Sequence, residues 1–371
     1  MNDAQRETKT LAAATLSLRP EGDLKDELPP ASILGRVLMG RYVPRAPLAE
    51  GAFSVRYRAD DLTTGEAVNL EFLPRRAIGT ASKIWHDVAR LAALGDPNIV
   101  EAIGRGVAGG AWPFLVSECM FGSTLRDVLA SGAELELARV VRIGAQCAEA
   151  LAAAHAAGVI HGALSPERIC CRSAGRAYES VKVAGFGIAS LVEASPDALL
   201  SSSRDLHAYA SPEHVEGRRL DARSDIYSLG VILYELVAGR PPFEGAALGV
   251  LRQHLRVQPP PASRRKGSDD LAFRVIDKII ARCLAKPPDA RYASAAELAA
   301  DLARLGAALS RARDGAENGS APSQDESPGS SPTATRSRER HSQIELRPAH
   351  RPPQKSHVRM LELPKVIVRG A

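Results

Sequence analysis

Aromatic residues are scarce in this chain of 371 residues, making up 4% of the sequence. With so few rings, a cage of aromatic side chains around a large ligand is not expected. Cysteine is also rare, and the five thiols show none of the spacings by which cysteines hold zinc, so we expect buried, reduced thiols. No apolar run reaches the roughly 20 residues that a membrane-spanning helix requires. The cysteines are Cys119, Cys147, Cys170, Cys171 and Cys283.

The sequence also lacks a strong excess of charge of one sign. Its net charge is +5, and residues 311–371 carry most of this, with 11 lysines and arginines against 7 acids. The preceding residues are therefore near neutral, which argues against a basic face for nucleic acid. LAAATLSL resembles the apolar part of a secretion signal, but Asp3 and Glu7 stand where such signals are basic. We expect a cytoplasmic protein with no membrane span and no nucleic-acid partner.

The composition changes along the chain in a way that predicts three regions. Residues 1–36 are polar, include Pro29 and Pro30, and predict a flexible extension. Residues 37–309 carry the strand and helix patterns of a folded domain. Residues 310–371 are rich in serine, proline and arginine without periodicity, which predicts a disordered tail with one apolar cluster, MLELPKVIV, at its end.

Within the folded domain, strand patterns come first and helical patterns follow. From about 37 to 118, alternating runs such as RYRAD and AVNLEFL flank turn signals, with one helix at 82–94. From about 122 to 309 the apolar period becomes helical. This order predicts an α+β protein of two lobes with a cleft between them. The expected large-lobe helices are 137–157, 224–238, 271–284 and 295–309.

A series of short motifs appears in a fixed order over about residues 37–309. They are LAEGAFSVRYRA, AVNLEFLP, DPNIV, HGALSPER, GFG, SPE, SDIYSLGVILYELVAGRPPF and KPPDARYASAAEL. In this order and at these separations the chain resembles the bacterial Ser/Thr protein kinase family. The resemblance implies a bilobal protein-kinase-like fold, with a small antiparallel-sheet lobe carrying one helix and a large, mainly helical lobe.

The residues that would grip ATP phosphates in this family are altered. The three positions of the glycine-rich loop are Ala49, Gly51 and Ser54, so one glycine is left. By the resemblance, Glu71 stands at the position of the strand lysine that holds the α- and β-phosphates, and a carboxylate there repels phosphate. Asp87 takes the place of the helix glutamate that pairs with that lysine, so the usual ion pair cannot form.

The catalytic loop and the metal site differ in the same way. In HGALSPER, Ala163 occupies the position of the aspartate that accepts the substrate proton, and alanine has no proton acceptor. Ser165 replaces the neighbouring lysine. Arg168 and Gly185 replace the asparagine and the aspartate that bind magnesium, an ion that requires oxygen ligands. In addition, Leu206 stands where the family has a threonine that contacts the catalytic aspartate.

The residues expected around the adenine ring are also unusual. Arg56 and Asn69 replace the valine and the alanine that cover the ring, and polar groups there are poor substitutes. We expect Asn69 and Glu71 to face the cleft, because strand residues alternate between two faces. Our hypothesis is that Arg56 or Arg168 pairs with Glu71 and fills the cleft from within. If a nucleotide binds at all, the contacting residues are expected to be Gly51, Arg56, Glu118 and Met120.

Residues that hold the family's fold together are retained. By the resemblance, one group stacks between the lobes, one aspartate holds the catalytic-loop backbone, and one buried ion pair ties the segment after SPE to the lower helices. The stacked group is His161, Phe186 and Leu91, the aspartate is Asp225, and the ion pair is Glu213 with Arg291.

The sequence therefore predicts a pseudokinase: a kinase-like domain that transfers no phosphate, needs no cofactor and binds protein partners in Ser/Thr kinase signalling, such as an active kinase or its substrate. Two alternatives remain open, since fold alone does not establish function. One is an atypical Ser/Thr kinase that uses relocated basic residues, such as Arg56 or Arg58 of the second strand in place of the phosphate-binding lysine. The other is an ATP-sensing switch with weak or metal-independent nucleotide binding and no transfer.

Overall fold

A computed structural model describes the chain over residues 28–50, 54–119, 122–173, 179–188, 191, 204–266 and 270–318. Among the predicted features, Gly51, Met120 and the MLELPKVIV cluster lie outside these residues. The described helices include none that is long and apolar enough to cross a membrane.

The small lobe is a five-stranded antiparallel sheet with one α-helix. Its order is β1-β2-β3-β5-β4, so the second and third strands, joined by the predicted hairpin, lie near the centre. Val68, Leu70 and Phe72 of β3 are buried in the core of this lobe, because alternate residues of a strand share a face. The elements are β1 (Tyr42–Glu50), β2 (Val55–Asp61), β3 (Ala67–Phe72), α1 (Ala81–Ala92), β4 (Ala102–Ala108) and β5 (Trp112–Glu118).

The large lobe is built around a central helix that is buried along almost its whole length. This helix, α6, begins at a capping box on Asp221 and ends at Gly239, whose φ of 75° suits glycine. A three-stranded sheet, β6-β7-β8, packs against the helices. The elements are β6 (Ser123–Thr124), α2 (Leu125–Ala130), α3 (Leu137–Ala156), β7 (Ile169–Ser173), β8 (Glu179–Val183), α4 (Arg204–Tyr209), α5 (Pro212–Val215), α6 (Ala222–Ala238), α7 (Ala247–Arg256), α8 (Ala262–Lys266), α9 (Leu271–Cys283) and α10 (Ala295–Asn318).

The fold class predicted from the sequence is confirmed, and the predicted long helices begin within two residues of the observed ones. The structure shows packed residues outside the predicted limits of the folded domain as well. Leu28 and Ile33 are buried in the small-lobe core, and the amide of Gly35 donates to the carbonyl of Pro44, so packing begins before the predicted boundary at residue 37. Helix α10 likewise continues past 309 to Asn318. The few apolar residues in 28–36 and 310–318 show no sustained periodic spacing that would have predicted this packing.

Candidate functional site

The loop His161–Arg168 is held in place from below by one buried carboxylate. Asp225, on α6, accepts hydrogen bonds from the backbone amides of His161 and Gly162, both at 2.8 Å, and from the ring of His155 at 2.8 Å. Burial alone would raise the pKa of Asp225, but the bonds from His155 and the backbone more than offset it and keep this pKa below its ordinary value. An ionised aspartate therefore fixes the loop backbone to the central helix.

His161 connects this loop to the segment that carries Gly185. Its ring lies 4.7 Å from that of Phe186, and Nε2 donates to the carbonyl of Ala184 at 3.0 Å. Burial lowers the pKa of His161 to about 4, so the ring is neutral near pH 7. Leu91 of α1 and Phe186 belong to one continuous apolar cluster with the large-lobe core. Helix α1, the loop and the Gly185 segment are therefore packed together.

Three cleft residues from three separate segments contact one another. Nη1 of Arg168 donates to Oε1 of Glu71, and its Nη2 donates to the Ser54 hydroxyl at 3.1 Å. That hydroxyl in turn donates to Glu71 Oε1 at 2.5 Å. Of the two predicted partners of Glu71, Arg56 and Arg168, the ion pair forms with Arg168. The part played by Ser54 was not foreseen. We call Ser54, Glu71 and Arg168 the cleft triad.

The cleft triad is largely buried, with the side chains of Arg168 and Glu71 10% and 12% exposed, and its charges balance. Burial alone would raise the pKa of Glu71, but attraction by Arg168 and Arg56 and the bond from Ser54 more than offset it and lower this pKa. Arg56 is the cross-strand neighbour of Glu71. Burial, together with repulsion by Arg168, lowers the pKa of Arg56. Glu71 is therefore ionised and shared between two cations.

Gly185 provides the space through which the Arg168 side chain passes. Its φ is +84°, a region that other residues seldom adopt. A Cβ atom added at this position would lie 2.7 Å from Nη1 and 2.9 Å from Cδ of Arg168. Arg168 and Gly185 are thus complementary, because a side chain at position 185 would occupy the space that Arg168 fills.

Ala163 lies in an apolar environment. It belongs to a cluster that runs from helix α1 to the large lobe and includes Ile188, Leu191 and Leu220, with Leu206 packed against it. Where the resemblance places a catalytic carboxylate and its threonine partner, aliphatic side chains meet. This local chemistry cannot accept a proton from a substrate hydroxyl.

We expect Ala163→Asp to lower the free energy of unfolding by about 2 kcal/mol, because the new carboxylate would enter an apolar cluster without a donor. Ala163→Asn, of the same shape but neutral, should lose clearly less. Urea denaturation of both variants at neutral pH measures the difference. Equal losses would show that shape and not charge limits this position.

The part of the cleft beside Glu118, at the end of β5, is partly filled by polar side chains. The amide of Asn69 donates to the carbonyl of Glu118 at 3.4 Å, and the Glu118 carboxylate accepts from Lys182 at 2.5 Å. Arg56 reaches the large lobe, where its Nη2 donates to the carbonyl of Glu167 at 3.3 Å. Of the four residues predicted to contact a nucleotide, the two described ones, Arg56 and Glu118, are thus engaged within the protein.

Two of the altered positions do not join the cleft triad. The ion-pair partner of Asp87 is Arg90, one turn further along α1, at 3.7 Å. Ser165 is buried, and its carbonyl accepts the amide of Arg168 at 2.9 Å. This bond closes the turn that places Arg168 in the cleft.

The lower half of the site is held by the expected buried ion pair. Nη2 of Arg291 donates to Glu213 at 2.8 Å and to the carbonyl of Lys286 at 2.9 Å. Its Nε and Nη1 donate to the carbonyls of Ala285 and Arg223. Burial alone would raise the pKa of Glu213, but the bond from Arg291 more than offsets it and lowers this pKa. The segment that follows α4 is thereby tied to the helices beneath it.

A second charge network was missed by the sequence reasoning. Arg126 on α2 donates to Glu167 at 2.5 Å, to Glu235 at 3.0 Å and to the Tyr209 hydroxyl at 2.5 Å, and this hydroxyl donates to Glu235. The network fixes Glu167, whose carbonyl receives Arg56. These residues lie 26 to 109 positions apart in the chain, so no local pattern could have revealed them.

Comparison with known proteins places the chain in a family. The model of the protein kinase domain matches residues 42–301. The chain belongs to the bacterial Ser/Thr protein kinase family. Among similar proteins, the serine/threonine-protein kinase pkn3 of Myxococcus xanthus is 33% identical over 277 residues, covering 72% of this chain and 50% of that protein. PknB of Mycobacterium tuberculosis is 38% identical over 279 residues, covering 72% and 43%.

The kinase fold itself is also seen in solved structures. The kinase domain of PknI from Mycobacterium tuberculosis matches with a TM-score of 0.57 at 24% identity, covering 73% of this chain and 98% of that domain. The chain thus contains a whole kinase domain, while it spans about half or less of the curated kinases it matches. By the motif positions given above, we expect Ser54, Glu71 and Arg168 at the places that surround the phosphates of ATP in this family.

Proposed function

We propose that this kinase-family domain is a pseudokinase, which transfers no phosphate and acts as a scaffold or allosteric partner in Ser/Thr kinase signalling. One observation carries the proposal: the residues at the lysine, asparagine and third-glycine positions bind one another. By the family's motif positions, these are the residues expected to face the phosphates and magnesium.

Binding of ATP would have to disrupt this arrangement. The nucleotide phosphates need cations, and Arg168 is already neutralised by Glu71 in a buried pair. Separating a buried ion pair leaves an uncompensated charge and costs about 3–5 kcal/mol. Magnesium needs oxygen ligands, and positions 168 and 185 supply a guanidinium and no side chain. These requirements favour a cleft that takes neither ATP nor magnesium.

The other catalytic parts support the same proposal. Ala163 has no proton acceptor and sits among aliphatic residues, so the general base is missing from its position. Arg56, the candidate for a relocated phosphate-binding cation, is turned towards the carbonyl of Glu167. The framework residues Asp225, Glu213 and Arg291 nevertheless connect the elements of the large lobe. An intact fold without its reacting groups suits a protein that acts by binding others.

The proposal also includes the partners of the domain and its location in the cell. Partners of a signalling scaffold would be an active kinase or its substrate. The described cysteines are all free thiols, as expected in the reducing cytoplasm that we propose as its location.

Two measurements on the same preparation test this function. We expect ATP with magnesium to leave the melting temperature unchanged, since a ligand at 100 times its Kd would add about 2.7 kcal/mol of stability. We expect no transfer of labelled γ-phosphate to the chain or to a generic substrate. A melting shift without transfer would instead indicate an ATP-sensing switch. Transfer that is lost in Arg56→Ala would establish an atypical kinase and contradict the proposal.

A further inference from the structure

An apolar groove of about 440 Å³ lies on the large lobe between α9 and α10. Val275 and Ile279 line it from α9, and Leu305 and Ala308 line it from α10. The two residues of each pair are three or four positions apart, so each helix presents one continuous face to the groove. The groove shares no residue with the cleft.

The apolar surface continues out of the groove along α9. Leu271, one turn before Val275, is 70% exposed, and Val275 is itself 37% exposed. Together with buried Ile279 they form a stripe at i, i+4 and i+8 that runs from solvent into the groove. Large aliphatic groups aligned in this way, beside a concave surface, are typical of a protein docking site.

The edge of the groove has an unbalanced positive charge. Arg282 pairs with Glu297 at 2.8 Å, and Arg304 pairs with Asp301. Lys278, between the two apolar residues of α9, has neither an ion pair nor a hydrogen bond to any residue in the described part of the chain. An acidic group of a partner would complement this exposed ammonium.

We propose that this groove docks an amphipathic helix of a partner protein, with aliphatic side chains against Val275 and Leu305 and a carboxylate beside Lys278. A helix is the suitable form, because both walls are helices whose backbone groups are already bonded and offer no edge for an added strand. The inference rests on the proposed function only in that both assign a binding role. The groove would serve equally if the cleft proved active.

Helical peptides of about 14 residues, or about 21 Å, test the site on the full-length chain. The first peptide carries leucines on one face, flanked by glutamates, and the second has lysines in place of the glutamates. Fluorescence anisotropy should show micromolar binding of the acidic peptide and at least fivefold weaker binding of the basic one. Val275→Asp should abolish binding of both.

Charge reversal distinguishes binding in this groove from non-specific attraction to the protein surface. Lys278→Glu should weaken binding of the acidic peptide about fivefold and strengthen binding of the basic one. Lys83→Glu, the same change at an exposed position of α1, should alter the binding of neither. Equal effects of the two variants, or no binding of either peptide, would overturn the proposal. A dimer in light scattering that Val275→Asp converts to monomer would also overturn it, because the occupant would then be a second copy. The cleft assays do not involve this surface, so the two proposals can fail separately.

Discussion

Replacing Glu71 by lysine is expected to lower the free energy of unfolding by about 4 kcal/mol. The substitution would restore the residue that the family uses at this position, yet here it would set a third cation beside Arg168 and Arg56. Glu71 is the acid that both arginines face, and its pKa is held low by them. Equilibrium denaturation with urea gives the loss directly.

The control for this change is Glu66→Lys, which alters the charge by the same amount at an exposed position before β3. We expect a loss within about 0.5 kcal/mol there. The charge-reversed double variant Glu71→Lys with Arg168→Glu should recover part of the stability, since the ion pair is rebuilt in the opposite sense. If Glu71→Lys were as stable as the control, the cleft triad would have no role in holding the lobes.

Introducing aspartate at Gly185 should cost about 5 kcal/mol. A left-handed backbone costs a non-glycine residue about 1–2 kcal/mol. The larger part comes from Arg168, because a Cβ at 185 would lie 2.7 Å from its guanidinium and 2.9 Å from Cδ. Arg168 would have to leave Glu71, which breaks a buried pair. Thermal and urea denaturation of Gly185→Asp measure the sum.

Gly217 provides a matched control for this prediction. Its φ is +61° and nothing lies within 4 Å of an added Cβ, so Gly217→Asp isolates the backbone cost. The loss there should be about 1 kcal/mol. Combining Gly185→Asp with Arg168→Asn should cost less than the two losses added together, because the crowded side chain is gone. Strict additivity would contradict the complementarity of Arg168 and Gly185.

Much of the fold was accessible from the sequence because its signals are local. The period of two in AVNLEFL predicted that Asn69 and Glu71 face the cleft, and the residues on the other face, Val68 and Leu70, lie in the small-lobe core. The helical period gave the long helices of the large lobe to within a turn at most ends. The pairing of Arg168 with Glu71 followed from opposite charges at positions that the family brings together.

Other features depend on distances that no sequence pattern encodes. Ser54 could have been suspected, since a hydroxyl at a glycine position can donate to a nearby carboxylate, but its contact with both partners depends on the lobe arrangement. The crowding of Arg168 against Gly185 depends on the path of one side chain. The contacts of Arg126 join four segments, and the groove beside Val275 depends on how α9 packs against α10.

The complementarity of the cleft residues constrains the order in which substitutions can accumulate. Starting from this sequence, Glu71→Lys places three cations together, Gly185→Asp displaces Arg168, and Arg168→Asn removes the cation that forms an ion pair with Glu71. Each first step towards a phosphate-binding cleft therefore weakens the fold before any benefit can appear. If the proposed function holds, a population carrying this gene would have to change several codons together to gain phosphate transfer, and the stability of the present cleft would act against each single change.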